Sequence, residues 1–150
     1  MREIKFRGFN RKNNVWLYGF YLQNCGAHFV CPDEFATGKS WDDYEIDPDT
    51  RGEFTGRKDK NGKEIYEGDV FSVNGEYPKV VKYIEEWLSF CVANIDTITT
   101  PPMSSWPDEY NYQQLSPGWW KDFQNEIEVI GNIHDNPELL EQREPNQNEL

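Results

Sequence analysis

Apolar and polar residues alternate over short stretches along most of the chain, and no stretch sustains a helical period. Ile4, Phe6 and Gly8 fall on one face of residues 3–9, with Lys5, Arg7 and Phe9 on the other. After the polar turn Asn10 to Asn14, the run from Val15 to Leu22 is rich in Val, Trp, Tyr and Phe, so residues 3–22 read as a β-hairpin. Ala27 to Cys31 predicts a third short strand, closed by Pro32. Residues 33–50 read as an acidic loop with a turn at Asp47-Pro48-Asp49.

Asp59-Lys60-Asn61-Gly62-Lys63 is the strongest turn signal, because Asn-Gly tolerates the positive φ of a tight hairpin. Glu64 to Tyr66 follows, then Gly68, which permits a bend before the alternating strand Val70 to Val73. Asn74-Gly75 marks a second turn, and Lys79–Tyr83 and Trp87–Ala93 read as strands. Prolines at 101, 102, 107 and 117 exclude a long regular element from residues 97–125. Strand character returns from Glu126 to His134. Asn136-Pro137-Glu138 then opens a short helix through Leu140, and Glu144 to Leu150 is expected to be a disordered tail. The class is mainly β. Ile65, Val70, Val73, Val81, Val92 and Ile130 are expected to share one core.

Composition adds limits. Apolar residues are only 37 % of the chain, but aromatics are 15 %, enough large rings to build a core and to exclude full-length disorder. No apolar run reaches the roughly 18 residues of a membrane span. Charges in Met1-Arg2-Glu3-Ile4-Lys5-Phe6-Arg7 exclude a secretory signal, and three cysteines without framework spacing suit a reducing cytoplasm. The net charge is −12, a field that repels phosphate backbones and attracts a basic partner. Residues 1–24 run against it, with five basic groups and one acid.

Three blocks resemble the YopX family of bacteriophage and prophage proteins. They are Met1 to Arg7, then Phe54-Thr55-Gly56-Arg57-Lys58-Asp59-Lys60-Asn61-Gly62-Lys63-Glu64-Ile65-Tyr66-Glu67-Gly68-Asp69-Val70, and finally Val129-Ile130-Gly131-Asn132-Ile133-His134-Asp135-Asn136-Pro137-Glu138-Leu139-Leu140. Family members usually follow the first block with a small residue, Trp and Asp, where this chain has Gly8-Phe9-Asn10. The resemblance implies a phage or prophage origin, a cytoplasmic protein, and an SH3-like small β-barrel in the C-terminal region. It implies no activity and brings no catalytic residues. The expected organisation is an N-terminal β-hairpin or small sheet over 1–53, the barrel with an irregular aromatic-rich insertion and a short C-terminal helix over 54–143, and the tail 144–150.

Candidate chemistry is sparse. Cys25, His28, Cys31 and Cys91 lack knuckle spacing, and in a strand His28 points away from Cys25 and Cys31, so buried thiols are expected rather than zinc. Counted from Asp59, the turn has Lys63 where a calcium loop needs an oxygen ligand, and its glycine falls too early. No nucleophile elbow or phosphate loop is present. Neither a cofactor nor a metal is expected, and a non-enzymatic protein that binds a host or phage protein is the primary expectation. The candidate contact residues are Trp106, Tyr110, Tyr112, Trp119 and Trp120 in the aromatic segment, most of them expected to cover the barrel, with Arg57, Lys58 and Lys60 around the Asn-Gly turn. The alternative is a small-barrel binder of single-stranded nucleic acid or nucleotides, in which those rings stack on bases; the net charge opposes it. A homo-oligomer is also expected, through the basic N-terminal end of one copy and the acidic 33–53 loop of another.

Overall fold

The structure is a computed structural model that describes residues 2–94 and 112–141. Two antiparallel five-stranded sheets account for nearly all of its regular structure. The chain divides into two compact units, one of residues 1–57 and 64–66, the other of residues 58–63 and 67–150.

Unit 1 contains β1 (Phe6–Asn10), β2 (Val15–Asn24), β3 (Ala27–Cys31), β4 (Gly52–Lys58) and β5 (Glu64–Tyr66), in the order β3-β2-β1-β4-β5. The predicted hairpin is there, starting at Phe6 rather than Glu3. β2 serves two partners in turn: residues 15–19 pair with β1 and residues 20–24 with β3. Gly19 sits at the handover, where a Cβ would lie 1.9 Å from the Cys31 carbonyl oxygen. Only glycine permits that approach of backbone to backbone.

The acidic loop of residues 32–51 is ordered by the sheet. Val30 N–H donates to the Tyr44 carbonyl at 3.0 Å and Ile46 N–H to the His28 carbonyl at 2.9 Å, covering the outer edge of β3. Asp47 N–H then donates to the Phe9 carbonyl at 2.9 Å, beyond the point where β4 stops pairing with β1. Asn10, 1 % exposed, fastens the loop. Its Nδ2 donates to the Asp42 and Glu45 carbonyls at 3.0 and 2.8 Å, and its Oδ1 accepts from Asn13 N–H at 2.7 Å. Beneath the loop Ile46 packs directly on Gly8, where a Cβ would fall 2.4 Å from Ile46 Cδ1.

Unit 2 contains β6 (Asp69–Val73), β7 (Glu76–Ile84), β8 (Ser89–Asn94), β9 (Tyr112–Gln114), α1 (Pro117–Phe123) and β10 (Ile127–Asn132), in the order β10-β6-β7-β8-β9. Asn74 and Gly75 take φ of 55° and 76°, the paired left-handed conformation that a tight hairpin turn requires. Val70, Phe71, Val80, Val81, Val92 and Ile127 are essentially without solvent. Among the described residues no ladder joins β10 to β9, so these strands do not close into a barrel.

Three expectations need correction. Ile130 is 43 % exposed and Val73 only half-buried. Ile127 and Val129 face inward in regular alternation, so Ile130, in step with Glu128, falls on the outer face; the register shift between Val129 and Gly131 affects only the residues that follow. Ile65 is buried, but in unit 1, so the six residues do not form one core. The segment 117–123 is helical. Ser116 Oγ accepts from Trp119 N–H and Pro117 takes the first position, the same cap-and-proline pattern that predicts a helix at 136–140. That second site is a single 3₁₀ turn, Pro137–Leu140, because Asn136 Oδ1 accepts from Asn132 N–H instead of capping its own turn. The expected tail 144–150 lies outside the described residues.

Candidate functional site

Of the candidate contact residues, Trp106 and Tyr110 lie outside the described residues. Tyr112 is buried on β9 with Ile84, Cys91 and Ala93, and Trp87 packs against this group. Trp120 is buried in α1. Trp119 is half-buried, its ring 5.1 Å from Phe123 and 6.3 Å from Phe71. These rings take the covering role. Around the Asn-Gly turn Arg57 is half-buried, Lys58 is exposed, and Lys60 pairs with Glu128 at 3.2 Å.

The turn itself is a structural device. Asp59 is 6 % exposed, and its carboxylate accepts three backbone N–H groups: Asn61 and Lys63 at 2.9 Å each, and Val129 at 3.0 Å. Lys60 N–H donates to the Ile127 carbonyl at 3.0 Å. One buried carboxylate thus shapes the loop and anchors it to β10. Asn132 acts similarly at the end of that strand, its Oδ1 accepting from His134 and Asp135 N–H at 2.9 Å each. Asp59 and Asn132, in the two longest resemblance blocks, therefore hold backbone in place.

Of the thiols expected to be buried, two are buried and Cys25 is not, because it sits in the turn beyond the end of β2. Cys31 and Cys91 are buried, which pushes both up from the ordinary range, Cys91 to about 11. Cys25 is exposed at the β2–β3 turn, and His28 is hydrogen-bonded through Nδ1 to the Tyr21 hydroxyl. Among the described residues no group of three or more His, Cys, Asp or Glu side chains is placed to hold a metal ion.

The surface feature that stands out was not nominated from the sequence. Phe35 and Trp41, on the acidic loop, are 55 % and 58 % exposed. Trp41 meets Phe29 edge to face at 5.6 Å, Phe35 meets Trp41 at 6.1 Å, and Phe35 meets Tyr44 at 5.1 Å. Phe29 lies directly opposite Leu22 in the β2–β3 ladder, and Phe20 is two residues before Leu22 on the same strand. Residues opposite one another, or two apart on a strand, share a face. Phe20, Leu22, Phe29, Trp41 and Phe35 therefore make a connected apolar surface whose members, Phe29 apart, are all at least 36 % exposed. Contiguous exposed apolar surface of this kind is a candidate interaction site.

Local chemistry holds the rings in place. Ser40 and Asp43 form a capping box that starts a 3₁₀ turn at Trp41, with Ser40 N–H donating to Asp43 Oδ2 at 2.9 Å. Ala36 N–H donates to the Tyr44 hydroxyl at 3.2 Å, drawing the Phe35 segment onto the buried Tyr44. Asp43 also accepts from Asn13 Nδ2 and Lys12 Nζ, each at 2.9 Å. These bonds, Asn13 first, then the Ser40 N–H and Lys12, hold its carboxyl well below the usual carboxylate range. Asp42 is lowered as well, by the Ser40 hydroxyl and then Lys12. Arg11 pairs with Asp47. The match of basic end and acidic loop, expected between two copies, is thus made within one chain. Asp33, Glu34 and Glu45 enter no such pair among the described residues. They rim the rings: Asp33 and Glu34 immediately precede Phe35, and Glu45 is bridged to Phe29. The one sequence signal for this site was a pair of large aromatics isolated in a polar loop.

The sequence matches the family model described as YopX protein over residues 5–141. The fold is similar to a crystal structure of a protein from Enterococcus faecalis, with a TM-score of 0.52 and 23 % identity, over 94 % of this chain and 100 % of that one. Comparison with curated proteins gives no match. Among the described residues no helix is long and apolar enough to cross a membrane.

Proposed function

This chain belongs to the YopX family, and from that premise we propose that it acts as a non-enzymatic binding protein whose contact surface is the acid-rimmed aromatic patch of unit 1. The observation that carries the reading is the exposure of Phe35 and Trp41 on a loop whose backbone is already fixed by hydrogen bonds. A partner meets rings already in place, so little ordering entropy opposes association. Trp is also the residue type most enriched at energetic centres of protein interfaces. Cys31 and Cys91 are buried and raised and His28 is bonded to Tyr21, so neither of these two thiols favours catalysis, because a nucleophile must be accessible and ionisable.

The setting we propose is that of a phage or prophage accessory protein in the host cytoplasm, as the sequence blocks imply. We read unit 2 as SH3-like. Its five antiparallel strands and the register shifts in β10 and β6 support that reading, since bulges bend a sheet towards closure.

The test is capture from bacterial lysate by the full chain and by a Phe35→Ser/Trp41→Ser variant, at equal folded concentration checked by thermal unfolding. A protein retained by the wild type and lost by at least about tenfold with the variant is expected, since interface aromatics dominate affinity. Identical retention of every protein by the two chains would overturn the reading.

A further inference from the structure

We infer that the aromatic patch takes an arginine-bearing segment of its partner, with a guanidinium lying over Trp41 and bonded to the carboxylates at the rim. The inference rests on the binding role proposed above and adds the chemistry of the ligand.

Two observations point to a cation. Asp33, Glu34 and Glu45 flank the rings without an ion pair among the described residues, whereas Asp42, Asp43 and Asp47 of the same loop are matched by Lys12 and Arg11. Negative charge left unmatched beside exposed rings is complementary to a positive group that also presents a flat, weakly hydrated surface. The second observation is ring geometry. Trp41 touches Phe29 and Phe35 edge to face, at interplanar angles of 70° each, and is 58 % exposed. At 58 % exposure most of the Trp41 ring is open to a ligand, and an aromatic face carries the negative end of the quadrupole.

Unit 1 already joins arginine to rings elsewhere. The Arg7 guanidinium lies 4.9 Å from the Trp16 ring centre and 5.1 Å from that of Tyr66, and the Arg51 guanidinium lies 4.8 Å from the Tyr21 ring. Among the described residues no cation occupies the corresponding position on Trp41. Arginine is favoured over lysine because its planar group stacks on a ring while its edge donates two parallel bonds to a carboxylate. A lysine ammonium cannot do both. The same rim excludes an acidic segment and a phosphate backbone by like charge.

The test uses the full chain and three fluorescently labelled nine-residue peptides of Gly and Ser carrying four Arg, four Lys or four Glu. Binding is read by anisotropy at low and at moderate salt. The arginine peptide is expected to bind about three- to fivefold tighter than the lysine peptide, the margin a partly exposed cation–π contact supplies, and the glutamate peptide not to bind. Trp41→Leu keeps an apolar side chain and should abolish the preference for arginine while leaving charge-driven binding. Glu34→Gln/Glu45→Gln should weaken both cationic peptides. Equal binding of the arginine and lysine peptides, no binding of either, or a preference that survives Trp41→Leu would overturn the inference. Patch-dependent capture from lysate could persist through any of these results, so the two readings fail separately.

Discussion

The two units put their rings and aliphatic side chains to opposite uses. In unit 2 Val70, Phe71, Val80, Val81, Val92 and Ile127 are fully buried, and Tyr112 and Trp120 are buried as well. Unit 1 buries fewer large side chains. Tyr18, Phe20, Phe35 and Trp41 remain at least 44 % exposed, and its long loop is held by Asn10, Thr50 and paired charges. Unit 2 therefore rests on removal of apolar area from water, and the loop of unit 1 on directed polar bonds. The difference shows how a small domain keeps rings at its surface: it fixes the backbone beneath them by hydrogen bonding instead of by swallowing the side chains.

The comparison can be broken most severely from unit 2. Phe71→Ala should cost about 4 kcal/mol, the loss for a fully buried aromatic, measured by denaturant unfolding. A loss below about 1 kcal/mol would mean that apolar burial does not dominate there.

Polar clamps come next, and the units offer a matched pair. Asp59→Ala strands three backbone N–H groups in unit 2 and should cost about 3 kcal/mol. Asn10→Ala removes two bonds to the unit 1 loop and one within the β1–β2 turn and should cost about 2 kcal/mol, while Trp41 fluorescence shifts as the loop loosens. An Asn10 variant with unchanged stability and unchanged emission would show that the loop does not depend on its clamp.

The smallest effect is electrostatic. The Asp42 and Asp43 carboxyls lie below their ordinary value of 3.8 in the folded chain. A depressed carboxylate contributes stability in full above its unfolded value and loses it as the pH falls through the folded one. Acid should therefore weaken the unit 1 loop progressively below about pH 4, with little effect near neutrality. Replacing Lys12 by Met should flatten that part of the acid profile, because Lys12 is a bonding partner of both. Added salt should act in the same direction, since the Lys12–Asp42 pair is exposed. An unchanged profile in the Lys12 variant would remove the ion pairs from the account of how the loop is held.

Much of the β organisation was legible because it is local. The turns at Asn61-Gly62 and Asn74-Gly75 are written in residue types that accept left-handed backbone, and Gly62 and Gly75 take φ of 81° and 76°. The strand around Phe54 was not read from the pattern, since its role is to pair with β1 across more than forty residues, Phe6 opposite Glu53. Ile130 misled because three apolar residues, Ile127, Val129 and Ile130, do not fit one face of a strand, and only the packed structure shows that the face of Ile127 and Val129 is the buried one. The exposed aromatic patch was missed because composition drew attention to the densest group of aromatics, while exposure depends on what packs against each ring.

The sequence by itself determined the mainly β class, the tight turns, the acidic character and, through its three blocks, the family. These depend on side-chain type and on neighbours a few residues apart, which the linear order displays. Only the tertiary structure decided that Asp59 is a buried clamp, that Arg11 and Lys12 of the β1–β2 turn are matched by acids of the 32–51 loop, and that Trp41 is exposed while Trp120 is not. Each of those is a contact between distant segments. Burial, charge pairing and hydrogen-bond satisfaction are properties of the packed whole, set by which segments meet, and the residues themselves do not carry that information singly.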